Sequence, residues 1–180
     1  MERTDLELIQ EFRGGDRTAA DELVRRHLER VRNLVFQLVL NNEVADDLTQ
    51  DVFARALRGL ETFRGQSSMV TWLHRIALNV SYQFLRLTHR RGTSELPPDS
   101  IDGRVAAPHA QLIESEAKDR IATALSRLTP SLRAAIVLTT MQGLSAIEAA
   151  EIEECSVGTM YWRVHEARRR LREELKDWIE

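Results

Sequence analysis

Two serines eleven residues apart, Ser145 and Ser156, constrain this chain more than any other feature. Ser145 and Glu148 have capping-box spacing, in which hydroxyl and carboxylate each satisfy a free backbone N–H at a helix start. Glu154-Cys155-Ser156 reads as a tight turn, with Ser156 placed to cap a second helix. In that helix Val157, Met160, Val164, Ala167 and Leu171 recur at steps of three and four and form one apolar stripe. Trp162, His165, Glu166 and Arg169 fall together on another side, with Tyr161 at its border. Such a helix, packed behind and polar or aromatic in front, can lie in a major groove. Arg168, Arg169, Arg170 and Arg172 suit the flanking phosphates. A solvated amphipathic helix would show many of the same signs, so the rest of the chain must decide.

The preceding residues are also helical in pattern. Residues 5–13 form a short amphipathic stretch ended by Gly14-Gly15. Asp16 can cap a longer helix to about Leu40, with Leu23, Leu28, Val31, Leu34, Val35, Leu38 and Val39 inward. Asn41-Asn42 interrupts it, and a third helix begins near Glu43 with its acids in the first turns, where they complement the helix dipole. The connector at residues 61–68, ETFRGQSS, leads through a serine cap to a fourth helix ending near His89. Residues 92–110 carry three of the four prolines and little periodicity, so they read as an interdomain linker. Further helices are expected from Leu112 to Leu128 and from Pro130, capped by Thr129, to about Met141, with Gly143 just beyond. Strand signals are weak throughout. The expected fold is all-α: two small helical domains, residues 1–91 and 111–180, joined by a flexible linker at 92–110.

At 180 residues and a formal charge of −3, the placement of charge matters more than its sum. No acid occurs from Thr62 through Ser94, a span holding Arg64, Arg75, Arg86, Arg90 and Arg91, whereas Glu43, Asp46, Asp47 and Asp51 crowd one short stretch. That separation points to a polyanion partner for one surface and a protein partner for the other. The single cysteine, Cys155, permits no internal disulfide, and the five histidines lack ligand-like spacing, so no metal or cofactor is expected. There is no glycine-rich phosphate loop and no nucleophile beside a base, which argues against an enzyme. The first residues, MERTDLELIQ, do not form a signal peptide, and no apolar run reaches membrane-span length. A soluble cytoplasmic protein is expected.

Two blocks resemble a known family, the bacterial extracytoplasmic-function sigma factors. Residues 46–80, DDLTQDVFARALRGLETFRGQSSMVTWLHRIALNV, resemble its region two; residues 125–175, from LSRLTPSLRAA to RRRLREEL, resemble its region four. The resemblance implies a promoter-specificity subunit that binds core RNA polymerase, through the β′ coiled coil and the β flap, and directs it to promoter DNA. It implies that Asp46, Asp47, Leu48, Gln50, Asp51 and Phe53 dock on the coiled coil, although Leu48 and Phe53 also fit a core role. It assigns Phe63, Arg64, Gly65, Gln66 and Ser67, together with Asn79, to capture of a flipped −10 base, an event that needs edge hydrogen bonds and stacking. Arg75, Arg86, Arg90 and Arg91 would hold the melted strand electrostatically. Trp72 fits the core stripe with Ile76 and Val80 better than it fits a melting wedge.

In region four the resemblance assigns −35 reading to Tyr161, Trp162, His165, Glu166 and Arg169, with Arg163 and Arg168 on phosphates. Here Tyr161-Trp162 replaces a basic and a small polar residue, and Glu166 stands where arginine is frequent. Glutamate can accept from the cytosine amino group, and aromatics can contact thymine methyls. Trp162 could instead pack on region two or on a regulator. The resemblance also implies an anti-sigma factor acting as a separate protein, since no added domain follows region four. The competing readings are a stand-alone helix-turn-helix regulator, which leaves DDLTQDVF and FRGQSS without a role, and a pure interaction protein, which would not need the base-capture loop. A redox role for Cys155 has little support.

Overall fold

The computed structural model describes residues 3–90 and 108–179, and the side chains of 3–90 and 117–178. Among them there are helices and turns only. The N-terminal half holds α1 (Asp5–Arg13), α2 (Arg17–Val39), α3 (Asn42–Gly59) and α4 (Met69–Arg90). The C-terminal half holds α5 (Pro108–Ser126), α6 (Pro130–Ile136), a π-helical turn (Val137–Met141), α7 (Ala146–Ile152), α8 (Val157–Glu174) and α9 (Lys176–Ile179). The linker reading, and Arg91 with it, falls for the most part outside the described residues, except that α5 already begins at Pro108.

Local chemistry explains most boundaries. Asp16 and Asn41 accept from the backbone N–H of Thr18 (2.8 Å) and Val44 (2.9 Å), opening α2 and α3. The Ser68 hydroxyl accepts from Thr71 N–H at 3.1 Å at the start of α4. Ser145 and Glu148 form the anticipated reciprocal capping box, and the Ser156 hydroxyl accepts from Thr159 N–H at 3.0 Å. Thr129 sits at the N-cap of α6 but its hydroxyl makes no capping bond; Pro130 at the first helical position leaves one N–H fewer to satisfy. α2 ends on Leu40 rather than on an asparagine, with φ of 58°. Burial makes this left-handed leucine tolerable: its side chain is buried among Leu125, Leu128, Leu132, Ile136 and Ala167 of the C-terminal half.

That insertion is part of a wider union. The two halves are not separate cores: Leu34, Val35 and Leu38 of α2 and Leu73, Ala77 and Val80 of α4 share one apolar cluster with Ala134, Leu138, Ala150, Ile152 and Met160. Arg133, only 7% exposed, pins the joint. Its guanidinium donates to the carbonyls of Leu125 (2.9 Å), Ser126 (2.9 Å) and Leu128 (3.4 Å), and across to Leu38 at 2.6 Å. Burial lowers its pKa to about 10, which leaves it charged at neutral pH. Close by, Gln142 Nε2 donates to Gln37 Oε1 at 2.8 Å.

Candidate nucleic-acid interface

Three surfaces carry the predicted residues. The first is the loop between α3 and α4. Gly65 adopts φ of 68°, a left-handed geometry that disfavours any side chain and lets the backbone turn under α1. Phe63 is half-buried, its ring 4.8 Å from that of Trp72 at a 47° tilt. Trp72 in turn lies over Gly59, where an added Cβ would come within 2.9 Å of the indole, so Trp72 is a packed buttress for the loop rather than a free wedge. Arg64 and Gln66 are exposed and Ser67 half-buried.

An open groove of about 560 Å³ runs between this loop and α1, walled by Leu6, Ile9, Gln10 and Arg13 on one side and Phe63, Arg64 and Gly65 on the other. A second depression continues along Gln66, Ser67 and Ser68. The participation of α1 was missed from sequence. Arg13 holds the loop in place, its Nε and Nη2 donating to the Leu60 carbonyl at 3.0 and 2.7 Å and its Nη2 also to that of Phe63. The signal was present, since Leu6, Ile9, Gln10 and Arg13 share a face at helical spacing. Asn79 is exposed on α4 but lines neither depression. Arg86 and Arg90 are exposed without an ion-pair partner among the described residues. Arg75 is engaged: its Nη2 donates to Glu151 Oε1 at 3.1 Å and its Nε to the Glu151 carbonyl at 3.2 Å, across to α7.

The second surface is the acidic start of α3. Asp46, Asp47 and Gln50 are exposed and Leu48 and Asp51 half-buried. Asp46 accepts from Arg32 Nε at 2.6 Å and Asp51 pairs with Arg55 at 2.7 Å; both acids remain in contact with solvent. Of the two roles open to Phe53, docking or core, its placement fits the core. It is 7% exposed within the core, because the inward stripe of α3 passes through Val52, Phe53 and Ala56, so its ring offers no surface to a partner.

The third surface is α8. Tyr161 and Trp162 are each 62% exposed, and Ile147 of α7 is similarly bare. Trp162 therefore does not pack on the N-terminal half. His165 and Arg168 are exposed as well. Two expectations change here. Arg163 is not a free phosphate ligand: its Nη1 donates to Glu153 Oε2 at 2.6 Å, and the Glu153 side chain is only 3% exposed. Glu166 is not a free acceptor. It receives Arg169 Nε and Nη2 at 2.9 and 2.8 Å and Arg170 Nε at 2.7 Å, and these two guanidiniums hold its carboxyl down to about 2. Arg169 also meets Glu173 at 2.7 Å.

Glu153 links the surfaces. Its Oε1 accepts from the Tyr82 hydroxyl of α4 at 2.5 Å. Burial raises the Glu153 carboxyl above its ordinary value against the pull of Tyr82 and Arg163, and burial likewise pushes the Tyr82 phenol up. Elsewhere His74, 1% exposed with neither ring nitrogen bonded, is driven down to about 4 by burial and by the nearby Arg30 and His27.

Among the described residues no cluster of acids, histidines and cysteine could hold a metal, and no helix is long and apolar enough to cross a membrane. Residues 23–91 match the Sigma-70 region 2 family and residues 118–171 match Sigma-70, region 4. The chain is 33% identical over 174 residues to the ECF RNA polymerase sigma-E factor of Haemophilus influenzae, covering 92% of each. It is 30% identical over 178 residues to the RNA polymerase sigma-H factor of Pseudomonas aeruginosa, covering 91% of this chain and 90% of the relative. The sigma-E factor of Escherichia coli K12 is 33% identical over 175 residues, with 92% and 91% covered. Two solved structures share the arrangement. CnrH, in complex with the cytosolic domain of CnrY, gives a TM-score of 0.70 at 26% identity over 94% of this chain and 96% of that one. The sigma factor RpoE of Bartonella quintana, in complex with the anti-sigma factor NepR, gives 0.71 at 27% identity over 87% and 96%.

Proposed function

We infer, from the premise that this chain belongs to the extracytoplasmic-function sigma factors of the sigma-70 family, a division of labour among its three surfaces. It is a transcription initiation factor and not an enzyme: it binds core RNA polymerase and directs it to specific promoters. Residues 1–91 act as region two, 92–110 as the tether and 111–180 as region four. The exposed acids Asp46 and Asp47, with Gln50 and the half-buried Leu48 and Asp51, dock on a basic helical element of the polymerase. The loop from Phe63 to Ser67, with Asn79, Arg75, Arg86, Arg90 and Arg91, takes the melted −10 strand. Tyr161, Trp162, His165, Arg168 and Arg169 face the −35 duplex. The chain works in the cytoplasm, where the polymerase is, under an anti-sigma factor of the kind that NepR is to the Bartonella protein.

The observation that carries the mechanism is the direct contact between α4 and α7. Elements centred near −10 and −35 lie about 25 base pairs apart, which at 3.4 Å per step is about 85 Å along the duplex. A protein whose Arg75 touches Glu151 at 3.1 Å cannot reach both at once. The described arrangement is therefore closed, and one of its pins, Arg75, is a cation assigned to DNA. Polymerase and promoter draw the halves apart by offering phosphates and new partners in exchange, a shift between pre-existing arrangements.

In vitro transcription from a genomic promoter library, with core polymerase and with or without this protein, tests the reading. Initiation at discrete new sites is expected, and Asn79→Ala is expected to lose open complexes while still binding core. If the wild type neither binds core nor initiates, the assignment fails and a stand-alone helix-turn-helix regulator takes its place.

A further inference from the structure

The base-facing surface of α8 has been stripped of most of its free hydrogen-bonding charge. Glu166, the one carboxylate whose type suggests a cytosine contact, is occupied by Arg169 and Arg170. Arg163 is turned away to buried Glu153. Toward the start of the helix, the part that meets base edges in helix-turn-helix proteins, the largest exposed side chains are Tyr161 and Trp162, beside the less exposed Val157 and with Ile147 of α7 also bare. The only apolar group that a base pair displays in the major groove is the thymine C5 methyl.

We propose that Tyr161 and Trp162 determine −35 specificity by covering thymine methyls, and that Glu166 is a positioning residue that sets Arg169 and Arg170 against the backbone. This rests on the assignment of α8 to the −35 duplex. The aromatic pair is rimmed by the cations a phosphate backbone requires: Arg168 and Arg172 are exposed, and Arg169 is spread between Glu166 and Glu173. Charge complementarity thus commits this apolar surface to duplex DNA rather than to a protein groove. Both side chains stand clear of the core, so each can be truncated without emptying packed space.

The test uses the full chain with core polymerase on promoters whose −35 element is randomised. Thymine is expected to be enriched at one or more positions, and replacing it there by deoxyuridine, which lacks only the methyl, lowers initiation about fourfold per methyl, the worth of burying one such group. Trp162→Ala or Tyr161→Ala, shown folded by an unchanged urea midpoint, responds equally to thymine and uracil at the position it covers. Glu166→Gln lowers initiation to a similar extent on every −35 sequence and leaves the preference at each position unchanged. Indifference of the wild type to uracil, or loss of a cytosine preference in Glu166→Gln, overturns the proposal while leaving the sigma reading intact. Failure of every library member to initiate would instead remove the reading on which it rests.

Discussion

Tyr82→Phe isolates the contact between the halves with the least collateral change. The substitution deletes one oxygen and no packing volume. It breaks the 2.5 Å bond to Glu153 and leaves the Glu153–Arg163 pair, which lies wholly within the C-terminal half, in place. A hydrogen bond to a charged group contributes about 1.5–3 kcal/mol net. The ratio of open to closed molecules should therefore rise about 10- to 150-fold, at 1.4 kcal/mol per factor of ten. Single-molecule energy transfer reads that ratio directly, with dyes on cysteines placed at the exposed Glu29 and Arg172 in a Cys155→Ser background. Glu153→Gln, which keeps an acceptor for the phenol, should shift the ratio less. A change below about twofold in Tyr82→Phe would refute the reasoning, because a desolvated charge-assisted bond cannot be worth so little.

The same assay should show a pH dependence. Glu153 is raised in the closed form by burial, so closure is favoured most below the ordinary carboxylate value of 4.5 and weakens as pH rises through the raised one; Glu153→Gln should flatten that slope. His74 acts in the opposite sense on global stability. Its depressed value of about 4 against an ordinary 6.5 means stability is full above 6.5 and falls by about 3 kcal/mol as pH drops to 4, which urea titrations should record and His74→Leu should abolish. Gly59→Ala should cost about 1–3 kcal/mol by driving a Cβ into the Trp72 ring, and should depress promoter opening more than core binding because the displaced indole supports Phe63.

Residue spacing made the helices and their caps legible. Asp16, Ser68, Ser145 and Ser156 sit beside the helix starts they cap, and each cap is a bond between near neighbours in sequence; Asn41, read only as a break, caps α3 in the same way. Leu40, Arg133 and the π-helical turn were not legible for the converse reason. A leucine adopts a left-handed backbone only because a remote pocket receives it, and an arginine is buried only because carbonyls from α2 and α5 converge on it. Phe53 shows how a resemblance can assign a contact to a ring that the helix stripe turns inward. Glu166 is the instructive miss. Arg169 and Arg170 stand three and four residues on, a spacing known to pair charges on a helix, so the engagement of that carboxylate could have been read beforehand.

The carbonyl cage around Arg133 has a consequence for reversibility. When the halves part, the guanidinium loses the Leu38 carbonyl alone and keeps those of Leu125, Ser126 and Leu128, all within its own half. For the guanidinium itself, separation therefore forfeits a single bond, about 1.5–3 kcal/mol, and never strands a naked ion in a dry interior, which would cost about 3–5 kcal/mol. No carboxylate takes part, so added salt has little purchase here, while the partly exposed Arg75–Glu151 pair is open to screening. The molecule can thus be unfastened from its ionic edge first, and returned to rest through a corner whose charge was solvated by protein the whole time.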